Sequence, residues 1–420
     1  MDNTFNHKRT RAFVEIPLLL VCYALAAIGI VNIAIASFNP DKGTNLPLVN
    51  YIVNSSSASW QSIFTLVSLV VVFIVIAIPM DFYKARARLI YWAVLALLMV
   101  TLAAATAVSG INAWLRVGWG RTIQPCEFAK LAILLILARE LSESEKPMGS
   151  FKEFVRTIMI FAVPALVTLA QGETGTVIVM GFMFMVMLFF SGVDIRIFLF
   201  MTFAIVLAIA ALFGYALLSQ STDYRILRLL SFIDPQKYYN SAGYQILYSQ
   251  MAIGSGQMNG IGAFVVGSIS QLDFVPEDHT DFIFSSLAEA FGFTGCCIVL
   301  ALYLFVLLRL IYLARFTQDK FGQLVIIGVM AMLFLHVFEN IAMTVGLMPI
   351  TGIPLPFISY GGSNFMTNMV GVALAVNAVK SRSNVTQVVI QEPVVKKQRG
   401  LFRRRKKQKQ NRKAAQTPTA

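Results

Sequence analysis

The chain has 420 residues, of which 57% are hydrophobic and 13% are charged, and its mean hydropathy is +0.71. Soluble domains carry about 25% charged residues, so this composition excludes an ordinary soluble protein. The net charge of +13 comes almost entirely from 13 Lys and Arg residues after residue 379, which face a single acid, Glu392. The remaining body is nearly neutral, and we therefore expect no nucleic-acid partner.

Ten apolar runs predict ten transmembrane helices, because about 20 apolar residues cross the hydrocarbon core of a bilayer as a helix. The runs lie near 13–37, 62–80, 88–108, 123–138, 157–171, 175–191, 197–218, 282–308, 322–345 and 364–379. The predicted fold class is therefore all-α, a polytopic integral membrane protein. Its predicted regions are an N-terminus at 1–12, a membrane domain at 13–381 with one large extracellular loop at about 219–281, and a basic tail at 382–420.

The distribution of basic residues predicts the orientation of these spans. One set of loops, together with both termini, contains 27 of the 34 Lys and Arg residues, whereas the opposite loops contain six. Because cytoplasmic loops carry the excess of Lys and Arg, we place both termini in the cytoplasm of a multi-pass cell-membrane protein. The most basic part of the tail, 396–413, either anchors this topology or binds anionic lipid or a partner.

The first polar segment in chain order is the loop GINAWLRVGWGRTIQPCEFAK, which leads into the fourth span. Pro125 suits the first turn of a helix, where its missing N–H costs nothing. Glu127 and Lys130 are three residues apart and share one helical face just inside the membrane. They form either a structural ion pair or a charged lining of a water-filled cavity.

Two further outer segments are explained by turn and surface chemistry. Glu173 lies in the turn AQGETGTV, where the flanking glycines suffice to account for the sequence. In the large loop, residues 244–253 predict a short amphipathic helix on the bilayer surface. The glycines at 254–262 predict a flexible stretch, and they are not a nucleotide-binding motif because the phosphate-binding lysine is missing.

The segment FVPEDHTDFIF places four ionisable residues directly before the eighth span. Asp281 has two interpretations: an N-terminal cap of that helix, or a general base for a substrate in the outer leaflet. Composition does not separate them. We interpret His279 as a structural hydrogen-bonding residue, and the four cysteines as buried thiols rather than disulfides or metal ligands.

The last outer segment, GLMPITGIPLPFISYGGSN, contains three prolines and a pair of glycines. This composition excludes a continuous helix. Non-helical backbone at membrane depth requires protein or water as its neighbour. We therefore predict a re-entrant wall of a cavity that is open to the outside.

The sequence resembles the SEDS family of peptidoglycan polymerases, typified by RodA and FtsW, over nearly all of residues 13–381. The resemblance depends on WLRVGWGRTIQPCEFAKL, RILRLLSFIDP, GYQ followed by AIGSG, SQLDFVPEDHTDFIF and HVFENIAMTVGLMPITGIPLPFISYGGS. It implies that the protein joins lipid II into glycan strands at the outer face of the membrane, with a class B penicillin-binding protein as its partner. The motif around Asp281 is more similar to the RodA branch, which serves elongation, than to the division branch.

The resemblance also implies roles for individual residues. Asp281, in the PE-x-HTDF motif, is the implied catalytic carboxylate. The implied or candidate substrate-binding residues are Trp114, Gln124, Glu127, Lys130, Arg225, Arg228, Glu277, His279, Ser359 and Gly362. Lys130, Arg225 and Arg228 are the candidates to meet the leaving diphosphate. A divalent cation, Mg²⁺ or Mn²⁺, could share that work, but no sequence feature fixes its ligands.

The chain departs from the family pattern at four positions. Ala113 replaces an arginine, Cys126 a serine and Ile261 a lysine, whereas the acid at Glu339 has no counterpart that we expect. Two other functions remain open: a transporter of a lipid-linked precursor, and a non-catalytic scaffold that docks a synthase. A transporter should carry charges along a route through both leaflets, whereas the polar motifs of this chain cluster on one side.

Overall fold

The computed structural model describes residues 15–44, 46–104, 113–117, 121–218 and 224–379, which are mostly helical. The predicted N-terminus at 1–12 and the tail at 382–420 lie outside these ranges. In chain order the helices are α1 (Ile16–Ala36), α2 (Leu48–Asn54), α3 (Ser56–Ala77), α4 (Met80–Ala104), α5 (Pro125–Glu143), α6 (Phe151–Ala170), α7 (Thr174–Ser191), α8 (Ile195–Leu218), α9 (Tyr224–Ile233), α10 (Tyr244–Ser255), α11 (Ile283–Phe316), α12 (Lys320–Thr344) and α13 (362–379).

Each of the ten predicted spans coincides with one of these helices. Eight of them, namely α1, α3, α4, α6, α7, α8, α11 and α12, are long and apolar enough to cross a membrane. The other two predicted spans correspond to α5 and α13. The all-α polytopic fold class is thus confirmed, while ten crossings and the cytoplasmic termini stay predictions.

The helices differ greatly in how far the bundle covers them. Helix α12 is central: 78% of its most apolar stretch of 18 residues is buried, and the helix packs against α5, α7 and α11. Helix α8 is peripheral, since none of its corresponding stretch is buried. A helix that is apolar on all sides is compatible with either position in a membrane protein. Because α12 is central, its polar residues lie in the protein interior, where they need partners.

A short hairpin is the only strand structure in the described part of the chain, and the sequence analysis did not predict it. Strand β1 (Leu115–Val117) pairs antiparallel with β2 (Arg121–Ile123), and Leu115 lies opposite Ile123. Glycines at 118 and 120 and alternating apolar residues provide the usual hairpin pattern in sequence. The hairpin leads directly into Pro125, which lies in the first turn of α5 as predicted.

The segment 345–361 between α12 and α13 is non-helical, as its prolines predict. It lies inside the protein, since Leu355, Phe357 and Ile358 are at most 1% exposed. Its backbone oxygens find side-chain donors: the hydroxyl of Tyr303 donates to Pro356 O, and the amide of Asn340 donates to Ile353 O. Neighbouring helices thus satisfy this irregular backbone.

Helix α11 is broken at Gly292, whose φ and ψ are 63° and −166°. Residues 256–262 lie across the break and bond to residues 289–294 through the backbone. The four bonds are Ile261 N to Glu289 O at 2.9 Å, Gly262 N to Ala290 O at 3.1 Å, Phe293 N to Gln257 O at 2.8 Å and Thr294 N to Met258 O at 3.0 Å. We call this arrangement the glycine interlock. The prediction of a flexible stretch at 254–262 is wrong, because the glycines permit close backbone contact.

Glu289 fastens the loop that continues from the glycine interlock. Its carboxylate accepts hydrogen bonds from Ile269 N at 2.7 Å and from Ser270 N at 3.0 Å, and also from the Ser270 hydroxyl at 2.5 Å. The side chain is 2% exposed. A buried carboxylate that accepts several hydrogen bonds is a satisfied structural group. The large loop is therefore tied to α11 before it reaches Asp281.

Helix α10 forms where a surface helix was predicted, but it is anchored on the bundle. The Ser249 hydroxyl donates to Thr344 O at 2.8 Å, and Gln250 Nε2 donates to Val345 O at 3.0 Å. Both acceptors belong to the last residues of α12 and its C-terminal cap. These bonds, with contacts to α11, hold α10 against protein.

Candidate active site

The candidate site lies at the end of the bundle where α5, α7, α11 and α13 begin and α12 ends. We call this the site end. Asp281 lies in a turn just before α11, and Thr280 N and Phe282 N both donate to Glu277 O at 3.1 Å. The residue that caps α11 is Phe282, which makes no side-chain cap bond, and Thr280 donates to Glu277 instead. Asp281 is therefore not the cap of this helix.

The backbone around Asp281 is held at three consecutive carbonyl groups. Tyr360 N donates to His279 O at 3.0 Å, the Ser359 hydroxyl to Thr280 O at 2.6 Å, and Asn340 Nδ2 to Asp281 O at 2.7 Å. The donors come from segment 345–361 and from α12, so distant parts of the chain fix the turn. Ser359, a predicted substrate-binding residue, is 4% exposed and holds this turn from inside.

The carboxylate of Asp281 and the guanidinium group of Arg228, on α9, both lie next to Gly352. A Cβ atom built on Gly352 would lie 3.2 Å from Asp281 Oδ2 and 3.8 Å from Arg228 Nη1. Gly352 has a φ of +73°, so both its conformation and its lack of a side chain suit this position. Arg225 lies one turn earlier on α9, but its side chain is outside the described part of the structure.

The surroundings of Asp281 raise the pKa of its carboxyl group to about 6. Burial is the largest cause, and the negative charge of Glu277 adds to it, whereas Arg228 and His279 act in the opposite direction. A carboxylate with this pKa is ionised at neutral pH and binds a proton more strongly than an exposed aspartate does. These are the properties that general base catalysis requires.

Glu173, at the start of α7, is a second carboxylate of the site that the sequence analysis attributed to turn formation. Its Oε1 accepts a hydrogen bond of 2.7 Å from Gln124 Nε2. Burial raises the pKa of Glu173 to about 7, and the charges of Glu127 and Asp281 contribute. The sequence did contain a signal for this role: Glu173 is an acid in a turn between two predicted spans, on the same predicted side of the membrane as Asp281. Gln124 also donates its backbone N–H to Ser363 Oγ at 3.1 Å and so links α5, α7 and α13.

Glu127 and Lys130 form an ion pair of 2.8 Å in the interior, with side chains 3% and 0% exposed. The ammonium group of Lys130 also lies 2.8 Å from Nε2 of His336, whose Nδ1 lies 2.6 Å from Met332 O. Since Nδ1 can only donate to that carbonyl, Nε2 of a neutral His336 accepts from Lys130. Asn364 Nδ2 donates to Oε2 of Glu127 at 3.0 Å. Lys130 is thus fully engaged inside the protein, as the structural alternative predicted.

Replacing Lys130 with methionine should lower the free energy of unfolding by roughly 3–5 kcal/mol, because Glu127 would keep a buried charge without its cation. Thermal unfolding of detergent-solubilised protein measures this. Arg88, which is exposed and lies 3.1 Å from Glu140, provides the control: Arg88→Met should cost at most about 1 kcal/mol, because Arg156 still pairs with Glu140. The double variant Glu127→Gln/Lys130→Met should recover most of the loss. Equal effects of Lys130→Met and Arg88→Met would contradict a structural ion pair.

The remaining predicted residues have different positions. Glu277 is exposed, and its Oε2 accepts from the Thr280 hydroxyl at 3.0 Å. Trp114 is half-buried beside β1. Gly362 begins α13, where a Cβ atom would lie 2.8 Å from the ring of Phe64, so the glycine permits close helix packing. The contacts of Trp114, Glu277 and Gly362 with substrate stay predictions.

The described residues contain no group of three or more His, Cys, Asp or Glu side chains that could hold a metal ion. Glu339, the unexpected acid in α12, is 0% exposed, and neither of its oxygens has a hydrogen-bond partner in the described structure.

Three of the four cysteines are buried, whereas Cys297 is exposed on α11, and all four are free thiols.

A family model for FtsW, RodA and SpoVE, described as a cell cycle protein, matches residues 15–384. The peptidoglycan glycosyltransferase MrdB of Escherichia coli K12 is 35% identical over 321 residues, which are 76% of this chain and 85% of MrdB. Stage V sporulation protein E of Bacillus subtilis is 37% identical over 270 residues, 64% of this chain and 71% of that protein.

Two solved structures share the fold. A chain of a peptidoglycan synthase complex that coordinates polymerization and crosslinking is 27% identical, with a TM-score of 0.71, and the match covers 87% of this chain and 97% of the other. The rod shape determining protein RodA of Thermus thermophilus is 25% identical, with a TM-score of 0.62, over 87% of this chain and 96% of RodA.

Proposed function

The chain belongs to the FtsW/RodA/SpoVE family, and on this basis we propose that it is a peptidoglycan glycosyltransferase of the bacterial cytoplasmic membrane with Asp281 as its general base. The matches to MrdB and to RodA favour the RodA branch. One observation carries the catalytic assignment: the half-buried carboxylate of Asp281 caps no helix and projects from a turn whose three carbonyl groups are fixed by donors from other segments, next to Gly352.

The substrate that we propose is lipid II. Asp281 accepts the proton of the 4-hydroxyl group on the GlcNAc of one lipid II molecule. That oxygen attacks the anomeric carbon of the MurNAc of the donor, with inversion, and undecaprenyl diphosphate leaves with the electron pair of the broken bond. A positioned base contributes typically 10²–10⁴-fold to such a reaction. Alignment of the two lipid-linked sugars contributes a further factor.

The site end provides positive potential for the leaving diphosphate. Arg228 is the described cation beside Asp281, and Arg225 precedes it by one turn on α9. Four helices begin at this end, and helix N-termini carry partial positive charge that favours anions. Lys130 does not take this role in our proposal, since Glu127 and His336 surround its ammonium group.

We propose that the site end faces outward and that both termini are cytoplasmic, because the excess of basic residues lies at the other end of the spans. The partner in this proposal is a class B penicillin-binding protein. Support comes from the structural neighbour, which is part of a peptidoglycan synthase complex for polymerization and crosslinking. Undecaprenyl-linked substrate would then reach Asp281 from the outer leaflet.

The experiment is glycan polymerisation from labelled lipid II by the purified protein, with and without a class B penicillin-binding protein. We expect a ladder of long glycans, resolved by gel electrophoresis. Transport of fluorescent lipid II into the inner leaflet of protein-containing vesicles, without any ladder, would instead support the transporter. No ladder and no transport, with stable binding of the penicillin-binding protein, would support the scaffold.

A further inference from the structure

Asp278 is a buried acid next to the candidate site that the proposed mechanism does not use. Its side chain is 5% exposed, Oδ1 lies 3.4 Å from Nδ1 of His279, and Oδ2 has no hydrogen-bond partner in the described structure. The PE-x-HTDF motif leaves position 278 open, so an acid is not required there by the pattern. A carboxylate next to a histidine favours the protonated form of the imidazole.

His279 has one protected edge and one accessible edge. Its backbone oxygen is fixed by Tyr360 N at 3.0 Å, and its Nδ1 faces Asp278, while 34% of the side chain is exposed. The imidazole can therefore reach a substrate on the side away from Asp278. Because Asp278 accepts from Nδ1, the nitrogen that remains available is Nε2.

The charged neighbours of His279 are mostly acidic. The acids lie on its own segment and are Asp278, Glu277 and Asp281. Helix α9 contributes Arg228, which acts on Asp281. Segment 345–361 contributes the ring of Tyr360, whose centroid lies 6.0 Å from that of the imidazole. The hydrogen bond that Asp278 accepts from His279 is the main cause that raises the pKa of His279, against burial, which lowers it. Burial in turn raises the pKa of Asp278 to about 6.

We propose that Asp278 is a positioning residue that holds His279 as an imidazolium, and that this cation binds the diphosphate of the lipid-linked donor. The inference rests on the proposed function and deepens it. As the bond between the anomeric carbon and the bridging phosphate oxygen breaks, the electron pair passes to that oxygen. The Nε2–H group of His279 donates a hydrogen bond to the diphosphate, and no proton needs to be transferred for this stabilisation.

Binding of undecaprenyl diphosphate to the detergent-solubilised full chain tests the cation directly, because it requires no turnover. The Kd should be low while His279 is charged and should rise as the pH increases through its raised pKa. In Asp278→Asn the rise should occur at lower pH, so that the Kd at pH 7 is roughly tenfold above that of the unchanged protein. His279→Arg should bind without this pH dependence, since arginine stays charged.

Nuclear magnetic resonance of histidine-labelled protein gives a readout that a merely structural role would not change. The chain has three histidines, and the signal of His279 is identified by its loss in His279→Gln. Its titration midpoint should lie above the ordinary histidine value and should fall in Asp278→Asn. Asp41→Asn, an isosteric change at an exposed acid that makes no contact with His279 in the described structure, is the control and should leave both the midpoint and the Kd unchanged.

The outcomes separate this inference from the proposed function. An unchanged midpoint in Asp278→Asn overturns the pairing of Asp278 with His279. A shifted midpoint with an unchanged Kd overturns diphosphate binding by the cation. If undecaprenyl diphosphate binds as expected but the unchanged protein makes no glycan from lipid II, the polymerase assignment fails while the binding site stands.

Discussion

Asp281→Asn should reduce glycan polymerisation by roughly 10²–10⁴-fold while the protein stays folded. Asparagine has the same shape but cannot accept the proton of the acceptor hydroxyl. The backbone bonds from Asn340, Ser359 and Tyr360 reach carbonyl groups and do not depend on the Asp281 side chain. Turnover of labelled lipid II measures the effect, and thermal unfolding of the same sample measures the fold.

The rate of polymerisation should also change with pH in one direction. A base must be ionised to act, and the pKa of Asp281 is raised to about 6. The rate should therefore increase with pH and level off above about pH 7, with a midpoint near 6 rather than near the ordinary aspartate value of about 4. The control variant Asp41→Asn should keep both the rate and the midpoint of the unchanged protein. Full activity in a folded Asp281→Asn protein would exclude Asp281 as the base.

Glu173 is a second group that titrates in this pH range, because its pKa of about 7 lies close to that of Asp281 and the two charges repel each other. The variant Glu173→Gln separates the two groups. Because Glu173 is mostly protonated at pH 6, Glu173→Gln should leave the midpoint of Asp281 near 6. A midpoint near 7 that disappears in Glu173→Gln would show that Glu173, rather than Asp281, controls the profile.

The sequence was sufficient for the helices and insufficient for the contacts between them. Apolar runs of membrane length leave a chain little choice but helix, so the predicted spans coincide with helices. Pro125 and the prolines of segment 345–361 also act locally, and their effects were predicted. Glu173 belongs to the site through Gln124, which is 49 residues away, and no local pattern records such a distance.

His336 and Asn364 show the same limit. Each is a polar residue in a mostly apolar helix, and only the packing of α5 against α12 and the start of α13 brings them to Glu127 and Lys130. The glycine interlock was misjudged for a related reason. Glycine is enriched both in flexible stretches and where two backbones touch, and composition does not distinguish these situations.

Gly256→Ala and Gly260→Ala should each destabilise the protein by roughly 3 kcal/mol or more. A Cβ atom at position 256 would lie 1.9 Å from Ala288 O, and one at position 260 would lie 2.1 Å from Ala290 O. Both obstacles are backbone oxygens of α11, which cannot rotate away as a side chain can. Gly260 also has a φ of +80°, which strains an alanine irrespective of the space available.

Gly254 is a matched control on the same stretch. It lies in α10, and a Cβ atom there would have no neighbour within 4 Å. Gly254→Ala should therefore be neutral or should stabilise the helix by up to about 1 kcal/mol. Unfolding temperatures of the three variants, measured in one detergent, test the contrast, and a similar temperature for all three would contradict close backbone contact across the break in α11.

The glycine interlock should also matter for catalysis, because the loop that it fastens continues through Glu289 and Ser270 to Asp281. If Gly256→Ala protein is folded at low temperature, its polymerisation rate should fall more than its affinity for lipid II, since a displaced base affects the chemical step. Gly254→Ala should leave both values unchanged. A loss of lipid II affinity with an unchanged rate would mean that the interlock shapes the entry of the substrate rather than the position of Asp281.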